Sequence, residues 1–502
     1  MDLDAYRRSA EEFLSARSAE EYRHYAGLKE DFAIEAVYDR HGELFTHRAV
    51  DSLHSLLDAA PAGSDEQRRL RMLLDFAVDG LIGQATKTLD AQLAGREASL
   101  TMTIGGRELG FRESAVVQAN EPDRSRRKMI EDARLALMDA QLGQLYVERL
   151  QAQHRAAAEL GYSSYRALCS TCKGYDLTGL QSQTSAFSAA TDGTYREVTE
   201  PALAVTLGIG LAELRRSDFP RLFRASEQDG HYPAQRLVAS FRETLGGLGI
   251  ALREHHGVLL DVEPRPRKSP RAFCAPVRVP GEVHLVIAPV GGREDFVALF
   301  HEGGHAEHAA HVDPALPFEF RYLGDNAVTE AFAFLVEHIV EDPEWLARRL
   351  GVDDTAAAEL SSHARAVRLI YLRRYAAKLA YELELHDAGT DTGAGGLKQL
   401  ADRYAALLSA ALQVEWSGET FLADVDPGFY CSCYLRAWAL ETYLRAHLRE
   451  RHGPAWFQSP QAGAELRALW RQGQRLTPDE LLAQFSSQPL EFAVLLADLG
   501  LA

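Results

Sequence analysis

The sequence is short of the residues that mark several large classes of protein. Its 502 residues include only five cysteines, an odd and sparse number that indicates reduced thiols rather than a disulfide framework. The longest apolar runs fall well short of the roughly 20 residues that a membrane-spanning helix needs. Residues 1–25 lack the apolar core of a secretory signal. We therefore expect a cytoplasmic protein that does not insert into a membrane.

Positive charge is also in deficit. Lysine and arginine number 54 against 72 acidic residues, which gives a net charge of −18. This balance argues against nucleic acids and anionic membranes as partners. Short basic runs at 124–128 and 265–271 are typical of solvated surface, because neither lies in a basic domain. With 46% apolar residues, the chain can instead bury a large core.

Helical patterns dominate what is present. Apolar residues recur at three- and four-residue spacing through the first 250 residues and again from Asp295 to the end, which predicts helices. Only residues 263–293 differ, with two short β-branched runs on either side of Pro280 and Gly281 that predict a hairpin. The sequence therefore predicts a mainly α fold with a small β-sheet directly before a histidine-rich helix.

That helix contains VALFHEGGHAEHAAHVD, residues 297–313, with four histidines on an otherwise apolar segment. At about 100° per residue, His301 and His305 lie one turn apart on one face, so both imidazoles can reach the same point. Glu302 is adjacent, and its carboxylate stays free near that point. This is the HExxH arrangement, in which two neutral imidazoles hold zinc and the glutamate acts as base for the zinc-bound water.

Two glycines inside the motif argue against a merely solvated helix face. Gly303 and Gly304 each cost roughly 1 kcal/mol relative to alanine in a helix interior. A solvated helix would gain from other residues here, whereas glycines allow another backbone to approach closely. We expect the hairpin to be that neighbour, and we interpret the segment as metal-binding.

Two residues compete to be the third metal ligand. His311 stands where the metzincin motif has its last histidine, but His308 replaces the glycine of that motif and no methionine follows it. Residues 327–336 are apolar apart from Thr329 and Glu330, so their helix should be buried nearly all round. A buried carboxylate needs a partner, and zinc supplies one. We predict Glu330 as the ligand, with His308 and His311 on the surface or supporting the ligands from behind.

With these residues, the chain resembles the zinc oligopeptidases of the thimet oligopeptidase and oligopeptidase F group, which are gluzincins, and more distantly angiotensin-converting enzyme. EDFVALFHEGGHAEH (294–308) is similar to the family's run through its HEFGH motif, with Gly303 in place of phenylalanine. VTEAFAFLVEH (328–338) resembles the helix of the glutamate ligand, at the matching spacing. Weaker similarity covers most of the remaining chain.

The resemblance implies a helical ellipsoid divided by a deep substrate channel, with zinc at its floor. An edge strand, either residues 274–280 or 282–289, would pair with the backbone of a short peptide and make side-chain selectivity loose. We expect an N-terminal helical lobe over residues 1–250 and a catalytic zinc lobe over residues 251–502, which together form one peptidase unit.

The segment DVDPGFYCSCYLRAWALETYL (424–444) resembles the family stretch that supplies a tyrosine to the tetrahedral intermediate. Tyr434 is the matching position, and Tyr430 would share its face if the segment is helical. An aromatic stripe at this spacing is otherwise typical of a core. Relatives carry a histidine shortly before this tyrosine, whereas residues 421–426 have none. One oxyanion donor is therefore expected to be missing, a loss that can reduce turnover by about 10² to 10³.

These inferences predict a zinc metallopeptidase that hydrolyses peptide bonds in short peptides. One Zn²⁺ would be held by His301, His305 and Glu330. Glu302 would activate the water and pass its proton to the leaving amine, while Tyr434 stabilises the oxyanion. Two alternatives remain open because of the altered tyrosine region. One is a zinc hydrolase specialised for one non-standard amide in a biosynthetic pathway, and the other is a peptide-binding relative with impaired turnover.

Overall fold

A computed structural model describes residues 1–250, 257–387 and 394–501. The chain is about 71% helix and 5% strand, which confirms the predicted mainly α fold. Among the described residues, no helix is both long and apolar enough to cross a bilayer.

The chain forms two compact units, each drawn from stretches that are distant in sequence. The first unit comprises the described residues of Met1–Val78, Gln228–Ser361 and Arg436–Asp498. The second comprises those of Asp79–Glu227, Ser362–Leu435 and Leu499–Ala502. The expected lobe boundary after residue 250 falls beside residues 251–256, which lie outside the described part of the chain, and it stays a prediction.

Helices form most of both units. In chain order they are α1 (Leu3–Tyr25), α2 (Ile34–Arg40), α3 (His47–Ala59), α4 (Asp65–Ser99), α5 (Phe111–Asn120), α6 (Arg124–Leu137), α7 (Gly143–Glu159), α8 (Tyr165–Lys173), α9 (Leu177–Thr191), α10 (Tyr195–Leu207), α11 (Phe219–Arg224), α12 (Ala234–Gly247), α13 (Arg293–His311), α14 (Phe318–Tyr322), α15 (Asn326–Glu337), α16 (Pro343–Trp345), α17 (Asp354–Asp387), α18 (Ala394–Leu412), α19 (Cys431–His452), α20 (Pro460–Trp470), α21 (Pro478–Leu482) and α22 (Val494–Asp498).

A small hairpin in the second unit was not predicted. Strands β1 (Thr101–Ile104) and β2 (Arg107–Gly110) pair antiparallel through Gly105 and Gly106. Both glycines have positive φ, +58° and +78°, as a tight two-residue hairpin turn requires. This hairpin is an exception within the first 250 residues, which were predicted to be almost wholly helical. It was missed because strands of four residues are too short to show an alternating pattern.

The first unit contains a three-stranded sheet of β3 (Val258–Asp261), β4 (Phe273–Arg278) and β5 (Glu282–Val286), in the order β3-β5-β4. Strands β4 and β5 form the predicted antiparallel hairpin, whereas the parallel partner β3 was missed. β4 is thus an edge strand and β5 is central. Of the two segments expected at a sheet edge, only residues 274–280 include one.

This sheet packs against α13, as the sequence predicted, and α1 also packs against β4. On its other sides α13 buries aromatic residues. Phe300 contacts Phe241 of α12 and Trp345, with ring centroids 5.1 and 5.3 Å apart. Burying each such side chain contributes roughly 1.5–3 kcal/mol. Helix α13 is therefore packed against other elements on several sides.

Candidate metal centre

The start of α13 is fixed by Asp295 and a glycine turn. Asp295 Oδ2 accepts hydrogen bonds from two backbone N–H groups of the preceding loop, at 2.6 and 2.7 Å. Gly292 has φ +91°, and a Cβ there would lie 2.6 Å from Asp229 Oδ1. Only glycine fits this turn. The residue at which α13 begins, and with it the position of His301 on the helix, is therefore determined by the residues around the turn.

The two glycines of the motif lie where α13 meets its neighbours. A Cβ on Gly304 would lie 2.6 Å from the Cα of Ala333 in α15, and one on Gly303 would lie 2.4 Å from the Phe241 ring in α12. The predicted close backbone approach is confirmed, but the expectation that the hairpin makes it was wrong. The neighbour is α15, because its small residue Ala333 lets two helix backbones touch.

The three predicted ligands lie together across this contact. The Nε2 atoms of His301 and His305 are 3.5 and 3.6 Å from the same oxygen, Oε2 of Glu330. One ligand atom from each residue lies within 4.8 Å of the others. Glu330 is only 5% exposed, and the burial predicted for its helix is confirmed, with Thr329 the one partly exposed position between 327 and 336.

The far sides of both imidazoles are held by α15. Nδ1 of His301 lies 2.7 Å from Glu337 Oε2, and Nδ1 of His305 lies 2.9 Å from Thr329 Oγ1. A carboxylate beside Nδ1 favours a proton there, so when the His301 imidazole is neutral, as in a metal complex, Nε2 is the nitrogen that carries the lone pair. Neither Glu337 nor Thr329 was predicted to have a role. Their spacing from Glu330 along the helix could have indicated both residues. Glu337 follows Glu330 by two helical turns, and Thr329 directly precedes it.

Carboxylates are the main charged groups around the paired imidazoles. Burial alone would lower the pKa of His301, but the hydrogen bond to Glu337 and the charges of Glu302 and Glu330 raise it to about 9. Burial also raises the pKa of Glu302, against the opposing effect of the two imidazoles. Three acidic side chains around two imidazoles make this a place where a cation is favoured.

The donor set fits a zinc ion. Ligand atoms about 2.0–2.1 Å from a tetrahedral zinc are separated from each other by about 3.3–3.4 Å. The observed separations of 3.5 and 3.6 Å are close to this edge length and longer than an ordinary hydrogen bond. Two imidazoles and one carboxylate are also ligands that suit zinc. His301, His305 and Glu330 are therefore the residues that would hold the ion.

Glu302 is near the three ligands and outside their group. Its Oε2 accepts a hydrogen bond of 2.9 Å from the backbone N–H of Cys274 on edge strand β4. This bond fixes one carboxylate oxygen. It also engages a main-chain donor of β4, and Pro276 on the same strand has no N–H to offer.

The other two histidines of α13 lie away from the ligands. His308 is 3% exposed and hydrogen-bonds the carbonyl of Gly473 at 3.3 Å, so of the two positions predicted for it, at the surface or behind the ligands, the surface is excluded. Burial lowers its pKa to about 4. His311 is half-buried against Trp470, and its Nδ1 donates to the carbonyl of Glu307. The structure thus brings Glu330, rather than His311, to the paired imidazoles.

The predicted catalytic tyrosines belong to the second unit, whereas the three ligands belong to the first. Tyr430 precedes α19 and Tyr434 lies in its first turn, and their rings are in edge contact at 5.1 Å, so they share a face as expected. Tyr434 also contacts Tyr375, with centroids 5.8 Å apart. Any role of these tyrosines toward the metal ligands stays a prediction.

A second group of potential ligands lies in the second unit, formed by Glu382, Asp426 and Cys431. Here a cation is already in place, because Lys378 Nζ lies 2.8 Å from Asp426 and 3.7 Å from Glu382. Burial raises the pKa of Glu382 to about 8. This group is better explained as a buried ion-pair network than as a metal site.

Comparisons with known proteins assign no family to the chain. No protein-family model matches the sequence, and no curated protein matches it. The likeness to zinc oligopeptidases therefore stays a prediction that rests on the motif residues themselves.

Proposed function

We propose that this chain is a zinc-dependent hydrolase that cleaves peptide bonds in short peptides. The observation that carries the proposal is the convergence of two Nε2 atoms on one buried carboxylate oxygen of Glu330. Each imidazole is also fixed from behind by a hydrogen-bond partner. Metal binding alone does not need a further carboxylate beside the ligands, so the presence of Glu302 favours hydrolysis over a purely structural metal.

A zinc ion at this place supplies a Lewis acid that polarises a carbonyl group and makes water more acidic. Glu302 accepts the proton of the attacking water and delivers it to the leaving amine. The hydrogen bond from Cys274 orients this carboxylate. Glu337 and Thr329 keep the imidazoles of His301 and His305 turned toward Glu330.

Other parts of the proposal rest on the sequence. The preference for short peptides, the substrate channel and an oxyanion contact from Tyr434 follow from the resemblance to zinc oligopeptidases. A cytoplasmic location follows from the sparse cysteines.

The test combines metal analysis with peptide digestion. Purified protein should contain about one zinc ion per chain and cut many unrelated short peptides, and a chelator should stop cleavage until zinc is restored. Glu302→Gln should keep its zinc but lose at least about 10²-fold in turnover. Glu294→Gln changes an exposed glutamate of the same helix and should leave turnover unchanged.

The alternatives give different results in the same experiment. Cleavage of a single unusual amide with no cutting of the peptide mixture indicates a specialised zinc hydrolase. Peptide affinity without cleavage in zinc-loaded protein indicates an impaired binding protein. Undiminished cleavage by Glu302→Gln removes the proposed base.

A further inference from the structure

The second unit contains a cavity of about 370 Å³ that is separate from the residues of the metal centre. Its apolar wall includes Leu135, Met138, Phe219, Phe223 and Trp416. Its charged lining consists of Glu131, Arg134, Arg216, Arg374 and Asp424. A volume of this size lies near the lower end of the roughly 300–1,000 Å³ that small-molecule sites occupy.

Two of the three arginines have matched acidic partners. Arg216 Nε lies 2.9 Å from Glu131, and its guanidinium stacks on the Trp416 ring at 4.6 Å. Arg374 makes two contacts of 2.7 Å with the carboxylate of Asp424. These pairs neutralise both carboxylates of the lining.

Arg134 has no such partner. Its Nη1 donates to the carbonyl of Phe111 at 2.6 Å and to Ser114 Oγ, and the guanidinium lies over the Phe111 ring at 4.6 Å. Among the described residues, none offers Arg134 a carboxylate within ion-pair distance, or an acceptor for its Nε and Nη2 hydrogens. Partial burial lowers the pKa of Arg134, although the charges of Glu131 and Glu97 oppose this effect.

The charged side chains that line the cavity therefore sum to +1, in a protein whose net charge is −18. A guanidinium with an unused edge is suited to a carboxylate, because its planar fork matches two carboxylate oxygens. The aromatic side chains offer an apolar surface beside it.

We propose that this cavity binds a small organic monoanion, with its carboxylate paired to Arg134 and its apolar body against Phe219, Phe223 and Trp416. This ligand site lies wholly in the second unit and does not depend on the proposed hydrolase function.

Phenylacetate and its neutral analogue phenylacetamide are suitable probes for isothermal titration of the full chain. Phenylacetate should bind one site per chain, and phenylacetamide should bind at least tenfold more weakly. A carboxylate can also bind zinc, so the titration is repeated after chelation, and the affinity for phenylacetate should stay within twofold. Inorganic phosphate should bind more weakly than phenylacetate, because it lacks an apolar body.

Variants then locate the site. Arg134→Gln should weaken phenylacetate binding at least tenfold, whereas Arg126→Gln, on the same helix and paired with Glu121 at the surface, should change it less than twofold. The comparison of phenylacetate with phenylacetamide uses the unmodified protein. It therefore tests the need for a carboxylate even if Arg134→Gln fails to fold.

Four results would overturn the proposal. They are equal affinity for both phenyl probes, wild-type affinity in folded Arg134→Gln, loss of phenylacetate binding on chelation, and phosphate binding as tight as that of phenylacetate.

Discussion

Glu337 shows how a residue outside the motif can set the chemistry of one inside it. Its carboxylate lies 2.7 Å from Nδ1 of His301 and is 18% exposed, so the contact is partly shielded from water. Such partners orient a metal-binding imidazole and make it a stronger ligand, and their loss typically costs 10- to 100-fold in metal affinity. We therefore expect Glu337→Gln to weaken zinc binding by about 10- to 100-fold.

Competition with a chromogenic chelator measures this change. Glu344→Gln, which removes a surface carboxylate paired with Arg348, should leave zinc affinity unchanged. Wild-type affinity in Glu337→Gln would mean that the hydrogen bond does not support the ligand.

The candidate metal ligands and the residues that hold them from behind differ in how far they could be predicted from the sequence. The spacing of His301 and His305 fixes their shared face once the segment is helical, and an isolated carboxylate in an apolar helix identifies Glu330. The contacts of Glu337 and Thr329 depend on how α15 is rotated about its axis against α13. Sequence spacing places both residues near Glu330 but does not determine that rotation.

At the scale of elements, the contact between α13 and α15 depends on Gly304. Its missing side chain leaves room for Ala333, whose Cα would be 2.6 Å from an added Cβ. Gly304→Ala should separate the two helices and destabilise the protein by about 1–3 kcal/mol, as overpacked cores do. Zinc affinity should fall as well, because His305 and Glu330 lie on opposite sides of this contact.

Urea unfolding and metal titration report both effects. Gly246→Ala is the matched control, since Gly246 lies in helix α12 of the same unit with open space around it. There the alanine should stabilise the protein by about 0.4–1 kcal/mol. A stable Gly304→Ala variant with normal zinc affinity would contradict the importance of this contact.

The sheets show where sequence patterns stop being informative. The β4–β5 hairpin was predictable because β-branched runs flank a Pro-Gly turn. Strand β3 was missed because four residues carry little pattern and its parallel partner β5 is distant along the chain. The edge position of β4 follows from that pairing, so it too needed the structure.

An ion pair links helix α21 to α4, and its contribution to the stability of the protein should depend on pH. Glu480 contacts Arg68 at 2.5 and 2.8 Å and also caps its own helix through the backbone N–H of Thr477. The hydrogen bond from Arg68, opposed by partial burial, lowers the pKa of Glu480 to about 2. Its stabilising effect is fully present above its ordinary pKa of 4.5 and is lost as the pH falls toward 2.

Glu480→Gln should therefore be less stable than the wild type at pH 7, and the difference should shrink steadily below pH 4.5. Urea unfolding at several pH values measures this. Glu35→Gln, at an exposed position, should differ little from the wild type throughout. A stability difference for Glu480→Gln that does not change with pH would show that the ion pair is not its source.

For the whole molecule, the two compact units are assembled from interleaved stretches of sequence. Periodicity reports which face of each helix is buried, but it does not say which distant face covers it. The mainly α class was therefore accessible from the sequence, whereas the membership of each unit was not. This division has a consequence for ligands, because the candidate metal ligands belong to one unit and the lining of the Arg134 cavity belongs to the other.

We expect each ligand to protect the unit that binds it. A ligand at 100 times its Kd stabilises the state that binds it by about 2.7 kcal/mol. In hydrogen exchange, zinc should slow the amides of α13 and α15, whereas phenylacetate should slow those of α6 and α11. Glu330→Gln should abolish the first effect and keep the second, and Arg134→Gln should do the reverse. Protection by zinc that is lost in Arg134→Gln, or protection by phenylacetate that is lost in Glu330→Gln, would contradict this independence.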